Sequence, residues 1–510
     1  MDALGGQLGQ ISVGIGLFIE IFAISLIPLV VMRRKEPPST VAWILVLIFL
    51  PCIGAALFLL FGRDRVRLPV QWKREADREL ASRRPVAMVA TGLLLEQSSG
   101  SPEEAHRVAR EHETALDTIA APIHRGLFRL GAWLAGAEPT PRNAVELLID
   151  GAATYDAIGE AIDGARHHVY AEYYLIRPGA TADWLRDRLV AAARRGVEVK
   201  LLIDGYGSFW VTRRYVRSLR QGGVEVAFFL PARMLLLQPM NLRNHRKIVV
   251  VDGKVGFTGG INIGDEYRGE AAPWRDTHVR IRGPAVARLA DVFAEDWHFA
   301  TKQGIPHYDP PKEETEEADP GEAKGEATVA IVRSGPDLEG PAREAIHRLF
   351  FTAITLARSR VYVTTPYFIP DRSILVALQT AALRGVDVRL LFPSRSNHKV
   401  VFQAGRSFYD DLLEAGVSIY EYGPGMIHAK TMVIDGAVAL VGSANMDLRS
   451  FRLNFEVHAV VRDPVTAAQL DACFDADLAL SSRIDRAAWR RRPWSARVLE
   501  GGARLLSPLM

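Results

Sequence analysis

Cysteine is almost missing from this chain, with Cys52 and Cys473 the only two in 510 residues. They are far apart and lack metal-ligand spacing, which argues against a disulfide scaffold or a zinc site and suits a reducing compartment. Charge imbalance is missing too. The 62 Lys and Arg nearly cancel 59 Asp and Glu, a net charge of +3, so no chain-wide basic field points to nucleic acid. Near the N-terminus charge itself is scarce. Ile11–Met32 carries only Glu20, and Val41–Phe61 carries no charge. Each is long enough for the ~20 apolar residues that cross a bilayer. The start MDALGGQLGQ has no basic residue, unlike a signal peptide. The sequence predicts two transmembrane helices, about 11–32 and 41–61, with the Pro37-Pro38 break between them. Glu20 would face protein, since a carboxyl in lipid is costly. Three basic residues lie in the connecting loop, and Arg63, Arg65, Arg67, Lys73, Arg74 and Arg78 follow the second span. That bias places both ends, and the catalytic domain, on the cytoplasmic side of the cell membrane.

What is abundant beyond residue 140 is alternation of short β-branched runs with helical stretches, the pattern of an α/β fold. The pattern occurs twice. VYAEYYLIRP (Val169–Pro178) is answered by VYVTTPYFIP (Val361–Pro370), RGVEVKLLID (Arg195–Asp204) by RGVDVRLLFP (Arg384–Pro393), and QGGVEVAFF (Gln221–Phe229) by EAGVSIYEY (Glu414–Tyr422). Two α/β halves packed as a pseudo-twofold pair are expected, at 140–308 and 329–480. An anchor at 1–67 and a connecting helical region at 68–139 precede them. An acidic, disordered linker at 309–328 separates them, and a basic amphipathic segment at 481–510 follows. The first half has about ten extra residues within Pro231–Asn244, including the apolar run Met234–Met240. That run and the C-terminal segment are both expected at the bilayer interface.

Each half also spells H-x-K-x-x-x-x-D. The first copy is His245, Lys247 and Asp252, and the second is His428, Lys430 and Asp435, in motifs spanning about 239–266 and 422–449. Gly-x-x-Asn follows each histidine at the same spacing, placing Asn262 and Asn445. On a strand, His and Lys at i and i+2 share a face. An Asp-Gly turn can then bring the returning strand and its Asn back towards them. Lysine and asparagine suit the non-bridging oxygens of a phosphodiester. One imidazole can attack phosphorus while a second acts as general acid and then base. One half has one such histidine, so a complete site needs both. The chemistry needs no metal or other cofactor, and a lysine two residues from each histidine would oppose a cation. The turn aspartates are expected to close the hairpins and fix the strands.

These motifs resemble the paired HKD motifs of the phospholipase D superfamily. NHRKIVVVDGKVGFTGGINIGDEY, WRDTHVRI, TPYFIPD and IHAKTMVIDGAVALVGSANMDLRSFRLNFEV, with the N-terminal hairpin, resemble the bacterial cardiolipin synthases. The resemblance implies transfer of a phosphatidyl group from one phosphatidylglycerol to another, giving cardiolipin and glycerol through a phosphatidyl-histidine. It implies that His245, Lys247, Asp252, His428, Lys430 and Asp435 are the catalytic set, with Asn262 and Asn445 on the phosphate. It points to His245 as the nucleophile. Glu456 resembles the family carboxylate that orients a histidine, and Asp276 is expected to serve His245. The implied partners are membrane phospholipids and a possible second copy of the chain, not nucleic acid. A membrane-bound phospholipase D or phosphatidyltransferase using water or another alcohol would need the same residues.

Overall fold

The computed structural model describes residues 20–31, 37–58, 71–76, 79, 122–136, 138–230, 242–268, 273–305 and 325–505. The chain divides into two compact units. In the first, Ile27–Val31, Pro37–Phe49 and Pro51–Leu57 are helical. Ala23, Leu26, Val30, Leu47, Ala55 and Phe58 form its core. No helix among the described residues is long and apolar enough to cross a membrane. The second expected span is divided at Leu50, because Pro51 lacks an N–H to continue the ladder and opens a new helix instead. This kink sets Gly54 against Val46, where a Cβ would lie 2.5 Å from the carbonyl oxygen. Residues 11–19 and Met32 of the first expected span lie outside the described residues.

In the second unit two seven-strand paths follow one order. From the join outwards, the first half runs Thr140–Ile149, Thr277–Arg282, Val255–Gly259, Lys247–Val251, His168–Tyr173, Glu198–Asp204 and Glu225–Phe229. The second runs Ala327–Ser334, Asn454–Arg462, Val438–Gly442, Thr431–Ile434, Arg360–Thr364, Asp387–Pro393 and Ser418–Tyr422. Their first strands pair antiparallel, Thr140 opposite Val329 and Asn143 opposite Ala327, which gives the continuous sheet an approximate twofold.

The central strands are buried along their length because both sheet faces are covered. All six residues of His168–Tyr173 are buried. On one face, helices Asp150–Gly164 and Ala180–Arg194 bring Tyr155, Ile158, Leu185 and Leu189 to the core of the first half. Helices Ala345–Leu356 and Arg372–Leu383 do the same for the second with Ile346, Leu349, Ile374 and Leu378. A further cluster draws on both halves, joining Ile248, Val279 and Phe293 to Val433, Phe455 and Leu470. Shared apolar burial of this kind is non-directional and strong. It leaves the halves little freedom to separate.

The flanking segments belong to this body. Helix Pro122–Ala135 places Leu127, Phe128 and Leu134 in the core of the second half. The basic C-terminal segment splits by role. Trp489 is buried against Tyr409 and Arg492 pairs with Asp410 and Glu500, whereas Trp494, Val498 and Leu505 are exposed on helix Trp494–Leu505. The apolar run 234–240 and most of the acidic linker, 306–324, lie outside the described residues.

Candidate active site

Each HKD strand begins beside its histidine. Lys247 opens strand Lys247–Val251 and Lys430 immediately precedes Thr431–Ile434. In extended backbone, residues two apart project to one side. The Lys430 ammonium accordingly lies 2.8 Å from His428 Nδ1 and 3.1 Å from Nε2, and donates to the His428 carbonyl. Lys247 donates to the His245 carbonyl. All four residues are buried.

The halves then exchange partners. His245 N–H donates to Phe455 O at 2.9 Å, and its Nδ1 lies 3.0 Å from Glu456 Oε2. His428 N–H donates to Arg275 O at 2.6 Å, and its Nδ1 lies 2.7 Å from Asp276 Oδ2. Each imidazole is therefore held by backbone and carboxylate from the opposite half. Asp276 serves His428 and not His245, contrary to the sequence expectation. The reason is topological. The strand that Asp276 precedes and the one that carries Glu456 near its start each run beside their own half's hairpin, with Gly259 opposite His278 and Gly442 opposite His458, while the carboxylate reaches across the join. A carboxylate can only accept, so Nδ1–H points at Asp276 and at Glu456. Nε2 of each ring is the nitrogen turned away from the carboxylate. Lys430 near Nδ1 is then a charge in contact, not a donor to it.

Burial lowers the His245 imidazole to about 4 despite Glu456, with Lys247 and Lys430 adding to the shift. Burial and Lys430 lower His428 to about 3. Burial likewise brings Lys247 down to about 7 and Lys430 to about 8. For the acids, burial pushes upward but loses. His245 and Lys247 bring Glu456 to about 2, and Lys430 and His428 hold Asp276 below its usual range. The lysines act on one another and on the histidine of the opposite half, which makes the two motifs one electrostatic centre. An anion entering it would favour protonated lysine and imidazole.

Asn262 donates to the Tyr267 hydroxyl at 3.0 Å, which lies 3.3 Å from His428 Nδ1. The buried Oδ1 atoms of Asn262 and Asn445 have no protein partner. Asp252 and Asp435 sit at the far ends of their strands. Asp252 accepts the N–H groups of Arg166, His167 and His168, each at 2.8 Å. Asp435 accepts those of Arg358, Ser359 and Arg360. Both adopt positive φ, 52° and 53°, as do Gly253 and Gly436 after them, and this is the geometry of the expected turns. They tie the hairpins to neighbouring strands and do not touch the imidazoles, so within the catalytic set their part is structural.

Other contributors carried no signal of their own in the sequence. Tyr174 lies edge-on to His245 at 4.7 Å, and Trp274 lies 5.3 Å from His428. Ser443 donates to Glu456 at 2.5 Å and Asn454 donates to its other oxygen at 3.0 Å. Behind His245, Asn244 bridges Glu172 and Asp296, and Asp296 also pairs with Arg246. Lys73 reaches this network, 3.0 Å from Asp296 and 3.4 Å from Asp337, and is fully buried. Two of the charges counted for membrane orientation, Lys73 and Arg74, are thus engaged in packing, since Arg74 donates to Asp337 O at 2.7 Å. Among the described residues, no group of three or more His, Cys, Asp or Glu is gathered to hold a metal ion.

Comparison with known proteins agrees with this architecture. The family model described as "Cardiolipin synthase, PLD-like domain" matches residues 158–297 and 350–478, one segment in each half. A second, "Phospholipase_D-nuclease N-terminal", matches residues 21–63. Cardiolipin synthase of Geobacillus kaustophilus is 39% identical over 97% of this chain and 94% of its own. That of Geobacillus thermodenitrificans is 38% identical over 100% and 96%. Among solved structures, phosphatidylserine synthase of Haemophilus influenzae Rd KW20 shares the fold, with a TM-score of 0.58 and 14% identity over 76% of this chain and 100% of that one. Two HKD motifs closing one site, and relatives matched over nearly their whole length, agree: the chain belongs to the cardiolipin synthase family of the phospholipase D superfamily.

Proposed function

We propose that this protein joins two phosphatidylglycerols into cardiolipin and glycerol. The observation that carries the reading is the crossed pair of buried imidazoles, each with Nδ1 on a carboxylate of the other half. In the first step Nε2 of one histidine attacks the donor phosphorus. The bond from phosphorus to the glycerol oxygen breaks, and that oxygen takes a proton from the other histidine, which the bound anion has helped to protonate. The phosphatidyl-histidine carries a positive ring, which its carboxylate stabilises. In the second step a hydroxyl of the acceptor gives its proton to the second histidine and attacks phosphorus. The phosphorus–nitrogen bond breaks and both rings return to their starting states. Lys247, Lys430 and the Asn262 and Asn445 amides stabilise the non-bridging oxygens, and the resemblance favours His245 as nucleophile.

The same reading places the protein in the cell membrane through a hairpin of two helices, with the catalytic body on the cytoplasmic side. Support comes from the apolar residues that the first unit leaves exposed, among them Ile21, Phe22, Ile24, Phe49, Leu50 and Ile53. Association with a second copy belongs to the same proposal. The test is purified protein on pure phosphatidylglycerol, before and after exhaustive chelation. Cardiolipin and glycerol should appear mole for mole in both, and rapid denaturation at alkaline pH, where a phosphorus–nitrogen bond survives, should trap lipid phosphorus on one of the two histidines. Phosphatidic acid as sole product, or label on neither histidine, would overturn the reading.

A further inference from the structure

A buried site for a lipid has to be reached from a bilayer, and the residues around the His245 ring lead outwards to one surface. Tyr174, edge-on to that ring, supports the loop that follows strand Glu198–Asp204. Ser208 Oγ donates to Tyr174 O at 3.0 Å and accepts from Ile176 N–H at 2.9 Å. Gly207 lies so close that a Cβ would stand 2.4 Å from the same carbonyl oxygen. Tyr206 stacks its ring on Arg243, two residues before His245, with the guanidinium 3.4 Å from the ring centre. Asp204 accepts from Tyr206 and Gly207 N–H through one oxygen and from Asn244 N–H, at 2.8 Å, through the other. The base of the loop is thus fixed to Tyr174 and Asn244, the neighbours of the imidazole.

The next two side chains turn away from that base. Phe209 and Trp210 are 61% and 68% exposed and stand edge to face, ring centres 5.6 Å apart. Val211 returns to pack on the core of the first half, and Thr212 caps helix Arg213–Gln221, accepting from Tyr215 N–H at 3.1 Å. That helix buries Val216 and Leu219 and leaves Arg213, Arg214 and Arg217 exposed. Among the described residues, none of these three arginines has a carboxylate partner. Large rings left in water forfeit the burial their size allows, and such patches mark interaction surfaces. The repeated fold does not require the rings, since the corresponding residues of the second half, counted from Pro393, are His398 and Lys399.

The chemistry of the patch selects its occupant. Aromatic rings beside arginines suit the boundary between acyl chains and anionic headgroups. A second copy of the chain suits it less, because a twofold contact through this patch would bring arginine towards arginine.

We propose that the loop 205–212 and the arginine face behind it are where the catalytic body meets an anionic bilayer. Phe209 and Trp210 enter among the acyl chains, Arg213, Arg214 and Arg217 lie on lipid phosphates, and the substrate lipid passes Tyr174 to His245 with its chains still in the membrane. The proposal rests on the phosphatidyl-transfer reading above and adds where the lipid enters.

The test uses full-length protein in vesicles and two substrates, long-chain phosphatidylglycerol in the bilayer and a water-soluble short-chain phosphatidylglycerol supplied to protein in neutral vesicles. In Phe209→Ser/Trp210→Ser, cardiolipin formation from the bilayer lipid should fall at least tenfold, and the short-chain reaction should stay within about twofold of wild type. Trp210→Phe should keep both rates. It should also lose part of the tryptophan emission that acyl-brominated phosphatidylglycerol quenches in wild type. Arg213→Gln/Arg214→Gln/Arg217→Gln should lower the bilayer rate and remove most of its decline with added salt. An unchanged bilayer rate, or equal loss on both substrates, would overturn the proposal, the second outcome making the loop part of the site itself. Quenching identical in wild type and Trp210→Phe, with self-association lost in the double variant, would overturn it in favour of a second copy. Wild-type protein that makes cardiolipin from neither substrate would overturn phosphatidyl transfer, and the quenching would still decide the surface.

Discussion

The two halves carry the same strand order and the same His–Lys–Asp–Gly–Asn spacing, yet they surround their histidines differently. His245 meets Glu456 and the edge of Tyr174. His428 meets the shorter Asp276, with Tyr267, Trp274 and the Lys430 ammonium around it. Ser443 supports Glu456, and the equivalent position in the first half is Gly260, whose absent side chain leaves room for Asp276 at 2.2 Å from a would-be Cβ. Duplication supplies two imidazoles with different surroundings, and on the proposed mechanism each has a separate task. A nucleophile must give up its phosphorus readily, whereas a general acid and base must exchange a proton twice in each cycle.

The comparison can be broken most severely at the rings. His245→Ala and His428→Ala should each lower cardiolipin synthesis by at least roughly 10³-fold, in protein whose circular dichroism is unchanged. An activated donor with a nitrophenolate leaving group sharpens the contrast. Release of nitrophenolate should recover in the variant lacking the acid and stay abolished in the one lacking the nucleophile. Equal recovery in both would show that the halves have not divided the work.

A smaller loss, roughly 10²-fold, is expected for Glu456→Gln and for Asp276→Asn. Each keeps the shape but removes the charge that fixes a ring, so kcat should fall more than KM rises. Should either variant retain wild-type kcat, the crossed pairing would have no catalytic part.

The lysines give a pH signature. With Lys247 lowered to about 7 and Lys430 to about 8, kcat/KM should decline as pH rises through that range. The limb should move upward in kcat, since bound phosphodiester keeps both ammoniums charged. Stability of the unliganded protein should change in the opposite sense. From about 7 towards ~10.4 the unfolded chain holds protons that the folded chain has shed, so unfolding binds protons and stability rises with pH. Denaturant midpoints across that window check the sign.

The hairpin aspartates should affect stability and leave chemistry nearly intact. Asp252→Ala removes an acceptor shared by three backbone N–H groups at a buried position and should cost about 1–3 kcal/mol. Asp435→Ala, at a more accessible site, should cost less. Activity per folded molecule should stay within a few-fold in both, as active-site titration would reveal. Smallest of all is the expected effect of replacing 313–324 with a Gly/Ser tether of equal length, because acidic, apolar-poor sequence buries little. A collapse of specific activity would give that segment a role in the site.

Much of this was legible in the sequence because strand periodicity is local. His245 and Lys247, two residues apart, had to share a side, and Asp252-Gly253 and Asp435-Gly436 had to turn. What was not legible depends on how the halves meet. Nothing near Asp276 indicates that it serves a histidine 152 residues away, and the sequence expectation assigned it to His245. Lys73 looked like a juxtamembrane charge, yet it is buried between Asp296 and Asp337. Hydropathy over 41–61 likewise hid the division at Leu50, which a single proline imposes.

The crossed carboxylates also have a consequence in time. A growing chain that has emerged through Val251 already displays its first histidine, yet Glu456, 211 residues further along, has still to be made. Until then His245 lacks its acceptor and the other imidazole is absent. Synthesis next to a bilayer full of susceptible phosphodiesters therefore exposes no working esterase, because competence arrives only when the last strands close on the first. Proteolytic loss of either end of the body would silence the enzyme as a whole and would not release an unregulated half.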